Sequence, residues 1–178
     1  LQSGAPFSIL AGMRQRKPTI VIDTREQRPL EFTLPTSVSK LDFGDYSIAG
    51  LESRVAVERK SLDDLFGSFT RTRVRMDERL QELGELAAAA IVVEATALDV
   101  ARGSKRTAVN GHSLLGSIST RCAQLGVAFV LAGDRYGSAA FIEAFLLAFH
   151  RQARSQKRAS LRNDSAFGDR KSRVYSGG

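Results

Sequence analysis

Short apolar, β-branched runs alternate along the chain with longer stretches of helical spacing. Thr19 to Asp23 predicts a strand, and its Ile20-Val21-Ile22 run suits a buried central position. Gln27-Arg28-Pro29 predicts a turn, Ser39 to Leu41 a short strand, and Asp42-Phe43-Gly44 a second turn. Tyr46 to Ala49 continues as a strand, Gly50 to Ser53 turns back, and Arg54 to Glu58 pairs with it as a hairpin. Ser61 is a good N-cap with Asp64 three residues on, so a helix starts there. A second helix is predicted from about Arg71 to Leu86, with Val74, Leu80, Leu83 and Leu86 near one face. Ala89 to Glu94 predicts a strand, Ala97 to Ala101 a helical turn, and Arg102 to Gly111 a polar, basic loop. A helix from about His112 to Leu125 ends at Gly126, a strand follows over Val127 to Leu131, and Tyr136 to about Arg154 predicts a long apolar-faced helix. This alternation predicts an α/β fold, a mixed β-sheet flanked by helices with an antiparallel hairpin at one edge.

Length and composition change the picture at the two ends. The chain has 178 residues, enough for one domain with some tail, and 43% hydrophobic residues, enough for a packed core. Residues 18–150 are expected to form that domain. Residues 1–17, with the basic cluster Arg14-Gln15-Arg16-Lys17, are expected to be a flexible arm. The chain opens on Leu1-Gln2-Ser3-Gly4, which is set aside as a processing remnant. Of the net charge of +7, residues 151–178 carry +6 and the other 150 residues only +1. That last segment is expected to be the end of the final helix followed by a disordered tail, and an electrostatic handle for a polyanion. The bland alternative is a solvated end that aids solubility. The most hydrophobic stretch, Ala139 to Phe149, contains Glu143, so no membrane span is expected. The single Cys122 excludes an internal disulfide framework and thiolate clusters, and an intracellular protein (cytoplasm, nucleoid or nucleus) is the natural expectation. His112 and His150 have no zinc spacing.

The candidate chemistry is concentrated between Gly44 and Leu65. Val55-Ala56-Val57 leads directly into Glu58-Arg59-Lys60, and residues two apart on a strand share a face. Glu58 and Lys60 therefore point one way and Arg59 the other. With Asp45 upstream, a carboxylate followed by Glu-x-Lys suits a hard cation beside a phosphate, and oxygen ligands suit Mg²⁺. Each residue also has a structural alternative. Asp45 alone reads as a turn residue, Lys60 as a snorkelling chain, and Arg59 as an ion-pair partner for an acid under the sheet. Asp64 reads as a helix cap. Asp23 and Arg25 end the first strand, where α/β folds gather functional groups, or else form a turn with a local ion pair. Arg71, Arg73, Arg75 and Arg79 form either a phosphate-contacting row or a solvated helix face.

The Asp45, Glu58-x-Lys60 spacing resembles the PD-(D/E)xK nuclease superfamily. The fuller string Gly44-Asp45-Tyr46, then Val57-Glu58-Arg59-Lys60, then Asp64-Leu65 is similar to the G-D-Y … V-E-R-K-x-x-x-D-L signature of XPF-type structure-specific endonucleases. Ile22-Asp23-Thr24-Arg25-Glu26 resembles that family's opening strand, Gly67-Ser68-Phe69 and Arg73 fall where it has G-S-L and the arginine of G-R-L, and Ala90 to Glu94 resembles its next strand. The resemblance covers residues 18 to 150. It implies a restriction-endonuclease-like fold and a metal-dependent DNA endonuclease leaving a 5′-phosphate and a 3′-hydroxyl.

Carried onto this sequence, the resemblance implies Mg²⁺ or Mn²⁺ held by Asp45 and Glu58, with Asp23 or Asp64 assisting. Lys60 and Arg59 fall in the active centre, and Arg25 and Arg73 in phosphate contact. Family nuclease domains also pair through their last helices. The apolar Phe141, Ile142, Phe145, Leu146, Leu147 and Phe149, partly covered by the His112–Leu125 helix, predict a homodimer or a heterodimer with a related chain. Many members carry helix-hairpin-helix modules; no such pattern follows residue 150, so the expectation is a minimal nuclease, a fragment, or a partner that supplies the DNA grip. The competing readings are a non-catalytic DNA-binding or dimerisation module, and a restriction- or repair-type nuclease with other substrates.

Overall fold

The computed structural model describes residues 17–70 and 72–174, with side chains described to residue 160. The N-terminal arm up to residue 16 and Arg71 lie outside the described residues.

A mixed sheet forms the middle layer. Its strands are β1 (Ile20–Asp23), β2 (Thr36–Ser39), β3 (Tyr46–Ile48), β4 (Val55–Ser61), β5 (Ala88–Glu94) and β6 (Ala128–Leu131), in the order β2-β1-β3-β4-β5-β6. β3 runs antiparallel to both β1 and β4, while β1/β2, β4/β5 and β5/β6 are parallel. The helices are α1 (Leu62–Thr70), α2 (Arg73–Gly84), α3 (Ala97–Arg102), α4 (Gly111–Leu125) and α5 (Arg135–Val174). The expected α/β architecture, a mixed sheet between helices, is the one observed, but the β3/β4 hairpin expected at an edge occupies the centre of the six strands.

The pleat divides the strands between two cores. Ala56, Ile91 and Val93 pack with Leu65 and Phe66 of α1, Leu80 and Leu83 of α2, and Leu114 and Ile118 of α4. Val55, Val57, Ala90 and Val92 pack on the other face with Ile142 and Leu146 of α5. Continued along β4, the same alternation sends Glu58 and Lys60 to the α1/α2/α4 face and Arg59 to the α5 face.

Four further expectations are corrected. The strand expected at Ser39 to Leu41 lies at Thr36–Ser39, an edge strand whose four residues are all exposed and which carries no apolar signal beyond Val38. In α2 the inner row is Met76, Leu80 and Leu83, while Val74 is 71% exposed. α4 does not cover α5, because the two helices pack on opposite faces of the sheet; Phe141, Phe145 and Phe149 pack instead at the margin of α5's own core. The last helix, expected to end at about Arg154, runs as α5 to Val174. Residues 155–174 contain one glycine and no proline, and a helix already nucleated on the sheet adds residues without a new nucleation cost.

Candidate active site

The site forms where β3 begins and β4 ends. Gly44 adopts φ +65°, and a Cβ there would stand 2.8 Å from the Val57 carbonyl oxygen. That close approach lets the Asp45 N–H donate to the Val57 carbonyl at 2.8 Å, while the Asp45 carbonyl accepts the Asp23 N–H at 2.9 Å. Asp45 is thus stitched between β1 and β4, and its Oδ2 accepts the Arg59 backbone N–H at 2.7 Å. Gly44→Ala is expected to cost at least about 2 kcal/mol, from the left-handed backbone and the carbonyl clash together. A urea melt measures it, and an unchanged midpoint would contradict this account of the turn.

Glu58 stands beside Asp45 in a poorly solvated corner. Lys60 Nζ lies 3.2 Å from Glu58 Oε1, and the Arg79 Nε lies 3.6 Å from Oε2. Glu58 Oε2 is buried and makes no hydrogen bond. Burial, and then the Glu58 charge, push the Asp45 carboxyl up from its ordinary 3.8 to about 7. Two adjoining carboxylates, one with an unmet oxygen, form a donor set that a hard divalent cation satisfies. Among the described residues no group of three or more His, Cys, Asp or Glu converges as a metal cage. Mg²⁺ does not require one, since it takes one or two protein carboxylates and keeps several waters.

Arg59 occupies the opposite face, as the alternation requires. Its guanidinium meets Glu26 through Nε and Nη2, both at 3.0 Å, and Glu94 through Nη1 at 2.8 Å. Tyr46 completes this layer: its hydroxyl accepts the Leu30 N–H at 3.1 Å and reaches Glu26 Oε2 at 3.4 Å. Arg135, at the start of α5, adds a contact to Glu94 at 3.4 Å and donates to the Arg28 and Pro29 carbonyls. Burial works against the Arg59 charge, but the two carboxylates outweigh it and raise its pKa.

The ERCC4 domain model matches residues 22–145 of the chain. The chain belongs to the ERCC4-domain family. In a comparison with solved structures, XPF from Aeropyrum pernix is similar at a TM-score of 0.59 and 22% identity, over 73% of this chain and 60% of that one. The same protein in complex with DNA gives a TM-score of 0.60 and 22% identity, over 76% and 66%. The chain therefore spans 60% and 66% of the length of those two chains, and the likeness is one of fold. No curated protein sequence matches it.

The other expected residues fall into place around this ERCC4 core. Asp23 is buried, and its carboxylate accepts the Arg25 N–H, Nε and Nη2 and the Leu41 N–H. The Arg25 hydrogen bonds hold its pKa down at about 2 against burial. Four donors fill the acceptor sites of one carboxylate, so Asp23 orients Arg25. Arg25 is 58% exposed, and its charge interacts with Asp45 and Glu58. Asp64 caps α1: its N–H donates to Ser61 Oγ at 3.1 Å, and Ser61 Oγ donates back to Asp64 Oδ2 at 2.6 Å. Arg73 and Arg75 are exposed at the start of α2, and Arg73 lines a groove of about 500 Å³ against α4.

Three participants were undervalued in the sequence. Arg79 reads there as one of a row, yet among the described residues of that row it is the one that reaches Glu58. Glu26 and Glu94 share Arg59. Glu94 was findable: it ends β5 in parallel register with Ser61, two residues beyond the partner of Arg59, on the same face.

Proposed function

We propose that this ERCC4 domain is a divalent-cation-dependent DNA endonuclease that hydrolyses phosphodiester bonds, at branched or single-strand/double-strand junction DNA. The observation that carries the reading is the buried, unbonded Glu58 Oε2 beside Asp45 and Lys60. Asp45 and Glu58 would hold the cation. A bound Mg²⁺ or Mn²⁺ supplies Lewis-acid charge at a phosphate oxygen and lowers the pKa of water.

The chain's own groups do the rest. Lys60 Nζ, fixed against Glu58 Oε1, orients the attacking water or a phosphate oxygen. Arg79 balances the charge at Oε2 of Glu58. Arg25, held by Asp23, offers its exposed edge to a phosphate next to the carboxylate pair. Arg59 acts from beneath, by fixing the strand whose backbone N–H holds Asp45. Arg73 and Arg75, with Arg71, would contact the DNA backbone further out, and Asp64 is kept as the cap of α1 with an assisting place at the site. The products would carry a 5′-phosphate and a 3′-hydroxyl. Pairing with a second copy or a related chain would use the outer edges of Phe141, Phe145 and Phe149, which lie only partly covered.

The test is cleavage of matched flap, fork and linear duplex substrates by the purified chain with Mg²⁺ or Mn²⁺. Nicking that stops with EDTA and returns with cation is expected, with the branched substrates cut first. No cleavage of any substrate with either cation would leave a non-catalytic DNA-binding domain as the better reading; equal cleavage of linear duplex would favour a nuclease of different substrate choice. Among the described residues no helix is long and apolar enough to cross a membrane.

A further inference from the structure

The pole of the sheet opposite the carboxylates carries a second charged surface. α5 begins beside Glu94 and leaves the sheet near Arg54, whose guanidinium carbon lies 5.6 Å from the centre of the Phe149 ring. Two grooves flank the helix there. One, of about 460 Å³, runs between α5 and Lys17-Pro18 and is lined by His150, Arg151, Arg154 and Arg158. The other, of about 520 Å³, lies toward Gly50 and is lined by Arg54, Arg154 and Lys157. No carboxylate is among the described residues that line either groove.

The charge is unbalanced along the helix itself. From Ala144 to Asn163 the sequence contains no Asp or Glu but five Lys and Arg. Like charges at helical spacing repel, and burial together with Arg154 lowers the His150 pKa. A solvated helix face accounts for exposed arginines on one element. It does not account for cations from three separate elements, ahead of β1, ahead of β4 and on α5, gathered around two concave surfaces. Arg151, Arg154 and Arg158 together rise about 10 Å along the helix, which matches about three phosphates of one strand at about 3.4 Å each.

We propose that this pole is a second DNA-backbone site, separate from the carboxylate site and engaging the same DNA beyond the scissile bond. It rests on the nuclease reading for its substrate class, and guanidinium and ammonium groups suit phosphate oxygens there. Arg54 lies four residues before Glu58 on the extended β4 segment, and Lys17 six before Asp23, so along the strands, with Glu58 and α5 on opposite faces of the sheet, the two sites stand about 13–20 Å apart at about 3.3 Å per residue. That is about four to six base pairs of DNA.

The experiment measures binding in EDTA of the full chain and of Arg151→Gln/Arg154→Gln/Arg158→Gln, on a duplex of about 30 base pairs and on one of about 8, across a salt titration. Loss of three phosphate contacts is expected to flatten the slope of log Kd against log salt by about 2.7 and to weaken the long duplex at least about tenfold. The short duplex, about 27 Å long at about 3.4 Å per base pair, can occupy the carboxylate site alone and is expected to lose less than the long one, and the cleavage rate at saturating DNA to stay unchanged. If circular dichroism shows lost helix, Lys17→Gln/Arg54→Gln reads the same grooves from outside α5. An unchanged slope on long DNA, or equal loss on both lengths, overturns the second site, as does a wild type that fails to bind DNA. A changed slope in a chain that never cleaves with Mg²⁺ or Mn²⁺ instead overturns the nuclease reading and leaves this surface standing. A change that appears only with an acidic peptide as ligand also overturns it.

Discussion

Asp45→Asn or Glu58→Gln is expected to lower cation-dependent cleavage by about three orders of magnitude, about 4 kcal/mol of barrier, while the fold and DNA affinity stay near wild type. The Asn side-chain oxygen still accepts the Arg59 N–H, so the turn survives; what is lost is the negative charge that holds the cation. The same substitution reveals itself in stability. Asp45 ordinarily titrates at 3.8 and here is pushed to about 7, so the folded chain binds a proton that the unfolded chain has released between those values. The stability contributed by protonated Asp45 is therefore fully present below about pH 4 and lost as the pH rises through about 7. In EDTA the wild-type melting temperature should fall across that window and the Asp45→Asn curve should be flatter. Added Mg²⁺ should raise the wild type near neutral pH and leave the mutant unmoved. Because cation and proton compete for the same oxygen, Mg²⁺ affinity should weaken about tenfold per pH unit below about 7. Turnover at the wild-type rate by either purified mutant would remove the carboxylate pair from the mechanism. Parallel melting curves in EDTA would do the same for its electrostatic account.

Arg59→Ala should be the most damaging single change to stability, about 3–5 kcal/mol. Arg59 is 14% exposed, Glu26 5% and Glu94 13%. Removing the guanidinium leaves two carboxylates facing an emptied space between β4 and α5, with Arg135 beside Glu94 and the Arg28 N–H and Tyr46 hydroxyl on Glu26 but no shared cation between them. Lysine should recover part of this loss, since it restores the charge but not the two-pronged contact with Glu26. Pairing Arg59→Met with Glu26→Gln should recover more than Arg59→Met alone, because it also removes an unpaired buried charge. Urea melts of the four variants give the comparison. A loss below about 1 kcal/mol for Arg59→Ala would mean the pair is solvated rather than buried. Activity should fall with stability in Arg59→Ala, because Asp45 depends on the Arg59 backbone; a stable but inactive Arg59→Lys would argue instead that the guanidinium meets substrate.

Much of this site is legible along the chain because it is local. Period-two alternation through Val55-Ala56-Val57 and into Glu58-Arg59-Lys60 assigns each side chain its face, and both assignments hold. Ser61 and Asp64 cap α1 as their spacing predicts, and Gly44-Asp45-Tyr46 reads as a unit: one residue for the close approach, one carboxylate, one anchor for Glu26. The strand–helix order also follows from local pattern and is enough to predict a mixed sheet between helices. The tertiary structure decided what depends on distant partners. Arg79 reaches Glu58 across 21 residues and Glu94 reaches Arg59 across 35, and no local spacing encodes either contact. Asp23 ends an apolar run and Asp45 follows a glycine turn, and neither setting shows that one is saturated by Arg25 and Leu41 while the other is left with a raised pKa, because only the fold sets the donors around each. β2 lies at Thr36–Ser39 rather than at Ser39 to Leu41 for the same reason, since an exposed polar strand is held by its pairing with β1 rather than by its composition. The placement of α4 and α5 on opposite faces likewise came from which side of the sheet each helix had left to cover.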